Sequence, residues 1–278
     1  MTQDALTGWD DETTAEAYAT FARTFPMYSA SSRDLAARAR LTDSHMIVDL
    51  CGGTGATAEA ILALAPPAAQ VISLDSAPAM QRIGRRTLND PRLSWVSAPA
   101  EDLAGHAPAH GVDAVVCNSA IWKTDVAAVF TAVRRVLRPG GRFVFNIGGG
   151  FAGVTHPHAQ TRPAKPSLGS LIEQIAARDY GTPPATASSA PRLPLTTVTG
   201  YLAAAGLTLV ETDVTAQHTT MAERRAWLSI PVFARPERGF SYEQQMAILQ
   251  EAYAQTRPDD VTITSWLVVV AQLDGSQA

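Results

Sequence analysis

Residues 48–57 read VDLCGGTGAT, and this stretch decides the fold. An apolar run ends on the carboxylate of Asp49, and a glycine-rich turn follows it directly. A strand that turns sharply through glycines into a helix is typical of α/β proteins that hold a ligand at the turn. The function therefore depends on what this turn binds.

Four further apolar runs follow the first at spacings that leave room for helices between them. The five runs are HMIVDL (45–50), AQVISLD (69–75), RLSWVSA (92–98), VDAVVCN (112–118) and GRFVFNI (141–147). Continuously apolar runs of this length are typical of parallel strands buried on both faces. The alternation predicts an α/β sheet built with right-handed crossovers, with residues 46–147 as its core.

The flanking segments complete a single domain over residues 1–278. Residues 1–45 look helical, with a break at Pro26, and we expect them to cover the core. Strand patterns at 208–217 and 262–273 bring the sheet to seven strands. The prediction is a Rossmann-like, mostly parallel, seven-stranded sheet flanked by helices. Insertions after strands 5 and 6, at 148–195 and 218–260, then emerge as lids at the ligand-binding edge.

Composition narrows the classes of protein. The 278 residues are 46% hydrophobic and 17% charged, and the net charge of −4 argues against a nucleic-acid partner. No apolar run approaches the ~20 residues that span a bilayer. The polar, acidic beginning of the chain lacks an export signal, and the two cysteines lack zinc-site spacing. We expect a cytoplasmic enzyme with a small-molecule partner and no metal; a homo-oligomer stays open.

Two interpretations compete for the turn. Residues 53–58, GTGATA, satisfy the dinucleotide fingerprint, and Asp75 follows Gly55 by 75 − 55 = 20 residues, as a ribose-binding acid does. However, a pyrophosphate favours backbone N–H donors rather than a carboxylate such as Asp49. A cofactor that carries an ammonium and a sulfonium suits an acidic neighbour.

At this point the sequence resembles the class I S-adenosylmethionine-dependent methyltransferases, in particular their small-molecule members. Their first motif is an acid followed by glycines at alternate positions, here Asp49, Cys51, Gly53 and Gly55, with Cys51 in place of a glycine. SLDSAPAM, APAEDL, VDAVVCNSAIW and VLRPGGRFVF resemble the later motifs in order, although Pro99 stands where the family often has an acid. The resemblance covers about residues 40–147 and implies S-adenosyl-L-methionine as the cofactor.

The resemblance also implies which residues bind that cofactor. They are Tyr18, Asp49, Cys51, Gly53, Gly55, Asp75, Ser76, Met80, Ala100, Glu101, Asp102, Asn118 and Ser119. Asp75 would contact the ribose hydroxyls. Met80 and the acids Glu101 and Asp102 would contact the adenine. Simpler roles stay open, because Asp75 suits an N-cap and the two acids suit the first turn of a helix.

Candidate acceptor residues come from the insertions and the N-terminal segment. His156 and His158 follow the fifth strand and are candidate bases, as is Tyr28, which follows Pro26. Tyr28, Trp122, Trp227 and His218 are candidate acceptor-binding residues and favour an apolar acceptor. Solvated loop histidines and core aromatics are the competing interpretations. The His-Pro-His pair lacks a flanking carboxylate or cysteine, so no metal site is predicted.

The predicted activity is methyl transfer to a hydroxyl, amine or activated carbon of a small, specialised metabolite. Methyltransferases that act on nucleobases and planar amides carry the motif NPPY at the position where this sequence has CNSA. The acid pattern of the metal-dependent catechol methyltransferases is absent too. An NAD(P)-dependent oxidoreductase and a non-methylating protein on the same fold are the alternatives. The sequence does not identify the acceptor. We also expect the glycine- and proline-rich first insertion to be more mobile than the second.

Overall fold

A computed structural model describes residues 8–160, 166–181, 192–237 and 239–275, and its centre is a seven-stranded sheet. The strands are β1 (Met46–Leu50), β2 (Gln70–Asp75), β3 (Leu93–Ser97), β4 (Val112–Cys117), β5 (Leu137–Gly148), β6 (Leu207–Thr220) and β7 (Val261–Leu273). Their spatial order is β3-β2-β1-β4-β5-β7-β6. The first five strands pair in parallel, and β7 runs antiparallel to both β5 and β6. The predicted seven-stranded, mostly parallel sheet is confirmed.

Helices lie on both faces and over one edge of the sheet. They are α1 (Glu12–Thr24), α2 (Met27–Arg38), α3 (Ala56–Leu64), α4 (Pro78–Thr87), α5 (Val126–Val136), α6 (Gly149–Ala152), α7 (Pro157–Gln160), α8 (Leu168–Tyr180), α9 (Leu195–Ala204), α10 (Met221–Leu228) and α11 (Tyr242–Ala254). The break predicted at Pro26 separates α1 from α2, since Pro26 is the N-cap of α2. Among the described residues, no helix is both long and apolar enough to cross a membrane.

The two faces of the sheet carry separate cores. On one face, α5 and α9 cover Phe143 and Phe145, and Phe130 of α5 packs against both rings. On the other face, Leu35 of α2 and Ile61 of α3 cover the sheet. Every residue of β4 is buried, which explains why its sequence does not alternate between apolar and polar residues. The covered sheet gives the residues at its edge a rigid base.

The two insertions form a further layer. Because β6 runs parallel to β5, both insertions leave the same carboxyl edge of the sheet, as predicted. Helices α8, α10 and α11 share a core that includes Ile175, Met221 and Ile248. The glycine- and proline-rich stretch after β5 contains the short helices α6 and α7. Residues 161–165 and 182–191 of the predicted first lid lie outside the described residues.

The N-terminal segment connects the core to the second insertion. Ala15 and Ala19 of α1 pack against Met80 and neighbouring residues of α4. Further along, Tyr28 shares a cluster with Ile230 of the second insertion. The segment therefore lies over the edge where the parallel strands end.

Candidate active site

A cavity of about 540 Å³ lies at the carboxyl edge of the sheet, beneath the N-terminal segment and the second insertion. Its wall is formed by residues from the ends of β1, β2, β4 and β5 and from the covering segments. The lining residues are Trp9, Tyr18, Met27, Tyr28, Cys51, Gly53, Asp75, Ser76, Ala77, Met80, Ala100, Glu101, Asn118, Ser119, Ala120, Trp122, Lys123, Thr124, Gly148, Gly149, Gly150, Phe151, Gln217, Arg224, Trp227, Phe233, Arg235, Thr264 and Trp266.

The glycine turn between β1 and α3 forms one end of the cavity. Gly53 has φ +56°, and a Cβ added there would have no heavy atom within 4 Å, so its open side faces the cavity. Gly55 has φ +93° and is the N-cap of α3; a Cβ there would lie 2.7 Å from Trp95 Cη2. Gly55 therefore shapes the turn and does not line the cavity. Cys51 also has positive φ, at 57°, a conformation uncommon for a residue with a side chain.

Asp75 connects the turn to the next helix. Its Oδ2 accepts a hydrogen bond from the Gly53 N–H at 2.9 Å, and its Oδ1 accepts one from the Ala77 N–H at 2.8 Å. Burial raises the pKa of the carboxyl group, and these two N–H donors partly offset the rise. The carboxylate thus supports the turn and also lines the cavity, whereas the N-cap of α4 is Ala77 and Asp75 does not cap that helix.

Asp49 lies beneath the turn and not in the cavity wall. It is fully buried, and Ser73 Oγ donates a hydrogen bond to its Oδ2 at 3.1 Å. Its Oδ1 has no hydrogen-bond partner of ordinary geometry among the described residues. Burial raises the pKa of Asp49 to about 7, and the charge of Asp75 adds to the rise. This arrangement therefore does not place Asp49 in direct contact with a ligand in the cavity.

We expect Asp49→Asn to reduce the pH dependence of stability. The native carboxyl group holds its proton up to about pH 7, whereas in the unfolded chain it loses it near pH 4. The wild-type protein therefore loses free energy of unfolding as the pH rises from 4 to 7. Between pH 5 and pH 8 the loss due to Asp49 should be about 2–3 kcal/mol. Urea unfolding of the wild type and of Asp49→Asn at pH 5 and pH 8 measures this loss. An equal pH dependence of stability in the two proteins would contradict the raised pKa of Asp49.

The residues predicted around the adenine lie together, with one exception. Ser76, Met80, Ala100 and Glu101 line the cavity, whereas the exposed Asp102 does not. Glu101 Oε1 accepts a hydrogen bond from the Asp125 N–H at 2.8 Å. Its Oε2 is buried and has no hydrogen-bond partner among the described residues, so one oxygen is available to a ligand.

Asn118 and Ser119 lie in a network that joins β4, β5 and α2. Asn118 Nδ2 donates hydrogen bonds to Ser31 Oγ and Ser32 Oγ, both at 3.0 Å. Asn146 Nδ2 donates to Asn118 Oδ1 at 2.9 Å, and Asn146 Oδ1 accepts from the Ser119 N–H at 2.6 Å. These bonds hold the N-terminal segment against the end of β4 and orient the backbone that passes the cavity.

Aromatic side chains dominate the other end of the cavity. The predicted residues Tyr18, Tyr28, Trp122 and Trp227 all line it, together with Trp9, Phe151, Phe233 and Trp266. Trp227 Nε1 donates a hydrogen bond to Tyr28 Oη at 2.9 Å. Burial raises the pKa of Tyr28 to about 12, so its hydroxyl is protonated at neutral pH. In this state Tyr28 donates a hydrogen bond and does not accept a proton as a base.

The predicted histidines lie together but outside the cavity lining. The rings of His156 and His158 are 4.7 Å apart, and His158 and His218 are 6.5 Å apart. The His156 N–H donates a hydrogen bond to Ser265 Oγ at 2.8 Å, which ties the segment after α6 to β7. His158 and His218 are exposed. The structure does not bring these three side chains to the cavity that holds the other predicted residues.

Several lining residues were not among the sequence-based candidates. Lys123 directly follows Trp122, and its Nζ lies 4.0 Å from the centre of the Trp9 ring. Burial lowers the pKa of Lys123 to about 8, while the nearby Cys51 and Asp75 act in the opposite direction. Arg224 and Arg235 of the second insertion also line the cavity. The only signal for them in the sequence was their position. Arg224 lies three residues before Trp227, and Arg235 lies two residues after Phe233.

The site fits the cofactor that the motifs imply. The open face of Gly53 admits a ligand next to the backbone, Asp75 offers unused lone pairs, and Met80 with Ala100 provides an apolar surface. The buried free oxygen of Glu101 adds a hydrogen-bond acceptor. Within the described ranges, no group of three or more His, Cys, Asp or Glu residues is placed to hold a metal ion.

Comparison with known proteins identifies this region. Residues 47–141 match the family described as "Methyltransferase domain", and this span contains the glycine turn, Asp75 and Asn118. Residues 47–141 form a methyltransferase domain. The resemblance to class I S-adenosylmethionine-dependent methyltransferases is thereby confirmed for the region that forms the cofactor end of the cavity.

Relatives of the methyltransferase domain include two curated enzymes. Trans-aconitate 2-methyltransferase of Azoarcus sp. is 37% identical over 134 residues, which cover 48% of each chain. The ubiquinone/menaquinone biosynthesis C-methyltransferase UbiE of Pasteurella multocida is 32% identical over 105 residues, covering 36% of this chain and 38% of the relative. The chain spans about half the length, or less, of the curated relatives it matches.

The likeness in structure extends beyond the methyltransferase domain. A structure of a methyltransferase in complex with the Trm112 activator of Haloferax volcanii matches with a TM-score of 0.57 and 17% identity over 100% of both chains. At this identity the match concerns the fold alone. One fold supports many activities, so the activity has to be argued from the site.

Proposed function

We propose that this protein transfers a methyl group from S-adenosyl-L-methionine to a small-molecule acceptor. The observation that carries the proposal is that one cavity joins the glycine turn and Asp75 at one end to an aromatic chamber at the other. The names of the curated relatives support methyl transfer to a small molecule. A specialised metabolite methylated on a hydroxyl, amine or activated carbon is the finer form of the proposal, and the cytoplasm is its proposed location.

In this proposal the methyltransferase domain holds the cofactor, which supplies an electrophilic methyl group when bound. Asp75 binds the ribose hydroxyls with the lone pairs left free by Gly53 and Ala77. Met80 and Ala100 contact the adenine, with Glu101 at its edge. Asn118 and Ser119 lie along the methionine portion, and Tyr18 covers the cofactor from α1.

The covering segments hold the acceptor behind the methyl group. Trp227 orients the Tyr28 hydroxyl, which donates a hydrogen bond to the acceptor and so positions it. The aromatic walls exclude water from the reacting atoms. His156 and His158 have no part in this arrangement. Lys123, whose charge interacts with Asp75 and Cys51, lies at the cofactor end of the cavity.

The nicotinamide alternative is less well supported by the topology. Dinucleotide-binding sheets of the doubly wound class have the strand order 3-2-1-4-5-6. Here an antiparallel β7 lies between β5 and β6. This order departs from the dinucleotide-binding arrangement and so favours the sulfonium cofactor.

Isothermal titration with S-adenosylhomocysteine and, separately, with NADH tests the proposal. We expect saturable binding of the first and none of the second. Binding of NADH alone would favour an oxidoreductase. A screen of small-molecule acceptors with methyl-labelled cofactor then separates methyl transfer from structural cofactor binding, because a non-methylating protein would bind S-adenosylhomocysteine and label no acceptor.

A further inference from the structure

Two arginines of the second insertion face the cavity together. Arg224 lies on α10, and Arg235 lies two residues after the 3₁₀ turn Pro231–Phe233. Both side chains are partly buried. Burial lowers the pKa of each, and repulsion from Arg235 lowers that of Arg224 further, yet guanidinium groups stay charged at neutral pH. Two like charges thus share one wall of the cavity, where the Arg235 side chain is still 40% exposed.

The protein itself neutralises these charges only in part. Arg235 forms an ion pair with Glu237, whose side chain is largely exposed, and the charge of Glu173 also acts on Arg235. Within the described part of the chain, no carboxylate forms an ion pair with Arg224. A charged group that is taken out of water without a partner is costly. The arrangement is therefore incomplete without an anion in the cavity.

The orientation of Arg224 suits such an anion. Its guanidinium carbon lies 4.6 Å from the centre of the Trp227 ring, and Trp227 stacks on Phe233 at 3.9 Å. Trp227 is in turn held by its hydrogen bond to Tyr28. Stacking covers one face of the planar group and leaves its N–H edges free for a bidentate contact with a carboxylate or phosphate.

We propose that Arg224 and Arg235 bind an oxyanion, a carboxylate or a phosphate, on the acceptor molecule. The apolar body of the acceptor then lies against Trp227, Phe233 and Trp266. This inference rests on the proposed function, since it names the chemical class of the acceptor for the same cavity.

The cofactor's own carboxylate is the competing partner for these arginines. Lys123 is the cation at the turn, since its charge interacts with Asp75 and Cys51. The electrostatic neighbours of Arg224 are Tyr28 and Arg235 instead. The two arginines therefore belong to the acceptor end.

Titration calorimetry with small probes tests the inference. The probes are trans-cinnamate, its neutral amide trans-cinnamamide, and phenyl phosphate, each added to protein saturated with S-adenosylhomocysteine. We expect at least one of the two anions to bind wild-type protein at least tenfold more tightly than the amide, because hydrogen bonds to charged groups are strong. The relative affinities of cinnamate and phenyl phosphate distinguish a carboxylate from a phosphate site.

Arg224→Ala should weaken binding of the preferred anion at least tenfold and leave the amide unaffected. Arg224→Lys should restore part of the loss, because it keeps the charge without the fork. Arg225→Ala is the matched control, since the exposed Arg225 guanidinium lies 4.9 Å from the Tyr253 ring and outside the cavity lining. It should bind the probes as the wild type does.

Each other outcome overturns the inference. If neither anion binds, or if the amide binds as tightly as the anions do, the proposed anion site is contradicted. Equal losses of anion affinity in the Arg224 and Arg225 variants would make the effect one of general charge. A tenfold weaker binding of S-adenosylhomocysteine by Arg224→Ala would assign the arginine to the cofactor. If wild-type protein binds no S-adenosylhomocysteine, the proposed function fails, and the same anion titrations without it still decide the anion site.

Discussion

Gly53→Val should bind no S-adenosylhomocysteine in a titration that gives the wild-type protein a measurable Kd. The turn places Gly53 at φ +56°, with open space where a side chain would project. Because this space is the cavity, the valine methyl groups would occupy the region that the proposal gives to the cofactor. A left-handed conformation also costs a residue with a side chain about 1–2 kcal/mol, which the folded protein should tolerate.

Gly181→Val separates strain from obstruction. Gly181, at the C-terminus of α8, has φ +63° and likewise no heavy atom within 4 Å of an added Cβ, but it does not line the cavity. The control should lose similar stability in urea unfolding and keep its affinity for S-adenosylhomocysteine. Wild-type affinity in Gly53→Val would place the cofactor elsewhere, and loss of binding in both variants would point to strain alone.

Asp75→Ala should weaken S-adenosylhomocysteine binding by about 1.5–3 kcal/mol, or roughly 10- to 150-fold. The substitution removes the acceptor for the Gly53 and Ala77 N–H groups, at 2.9 and 2.8 Å, and the carboxylate oxygens that face the cavity. The turn then loses its support and the ribose loses its partner. Titration calorimetry measures the change, and circular dichroism checks that the variant is folded.

Asp75→Asn is the graded control for this site. It keeps one oxygen acceptor and the shape of the side chain but removes the charge, so its affinity should lie between those of the wild type and Asp75→Ala. Undiminished affinity in a folded Asp75→Ala protein would reduce Asp75 to a residue that supports the turn. The prediction thus decides between support of the turn alone and ligand binding.

Much of the core was predictable because the relevant physics is local. The first four apolar runs, from 45 to 118, lie within one residue of β1, β2, β3 and β4. In β1 and β4 the reason is that strands covered on both faces need continuous apolar sequence. Pro26 marks the break between α1 and α2 because it removes a backbone donor. The positive φ of Gly53 and the position of Asp75 at the end of β2 follow from residues next to each other in the chain.

The acceptor end of the cavity depends on contacts between distant parts of the chain. Tyr28 meets Trp227 across 199 residues, and burial in that contact raises the pKa of the Tyr28 hydroxyl to about 12, although the hydrogen bond from Trp227 acts in the opposite direction. Asp49 was predicted to face the cofactor, but packing against Ser73 buries it beneath the turn. Residue type and spacing do not carry this information.

The sequence by itself determined the α/β sheet, the glycine turn and the side chains at the ends of its parallel strands, because periodicity and turn chemistry act between near neighbours. The tertiary structure alone decided which side chains of the insertions enter the cavity. It placed Arg224 and Arg235 in the wall and His156, His158 and His218 outside it. The physical reason is that an insertion is oriented by how α8, α10 and α11 pack on one another and on the N-terminal segment, and that packing couples residues far apart in the chain.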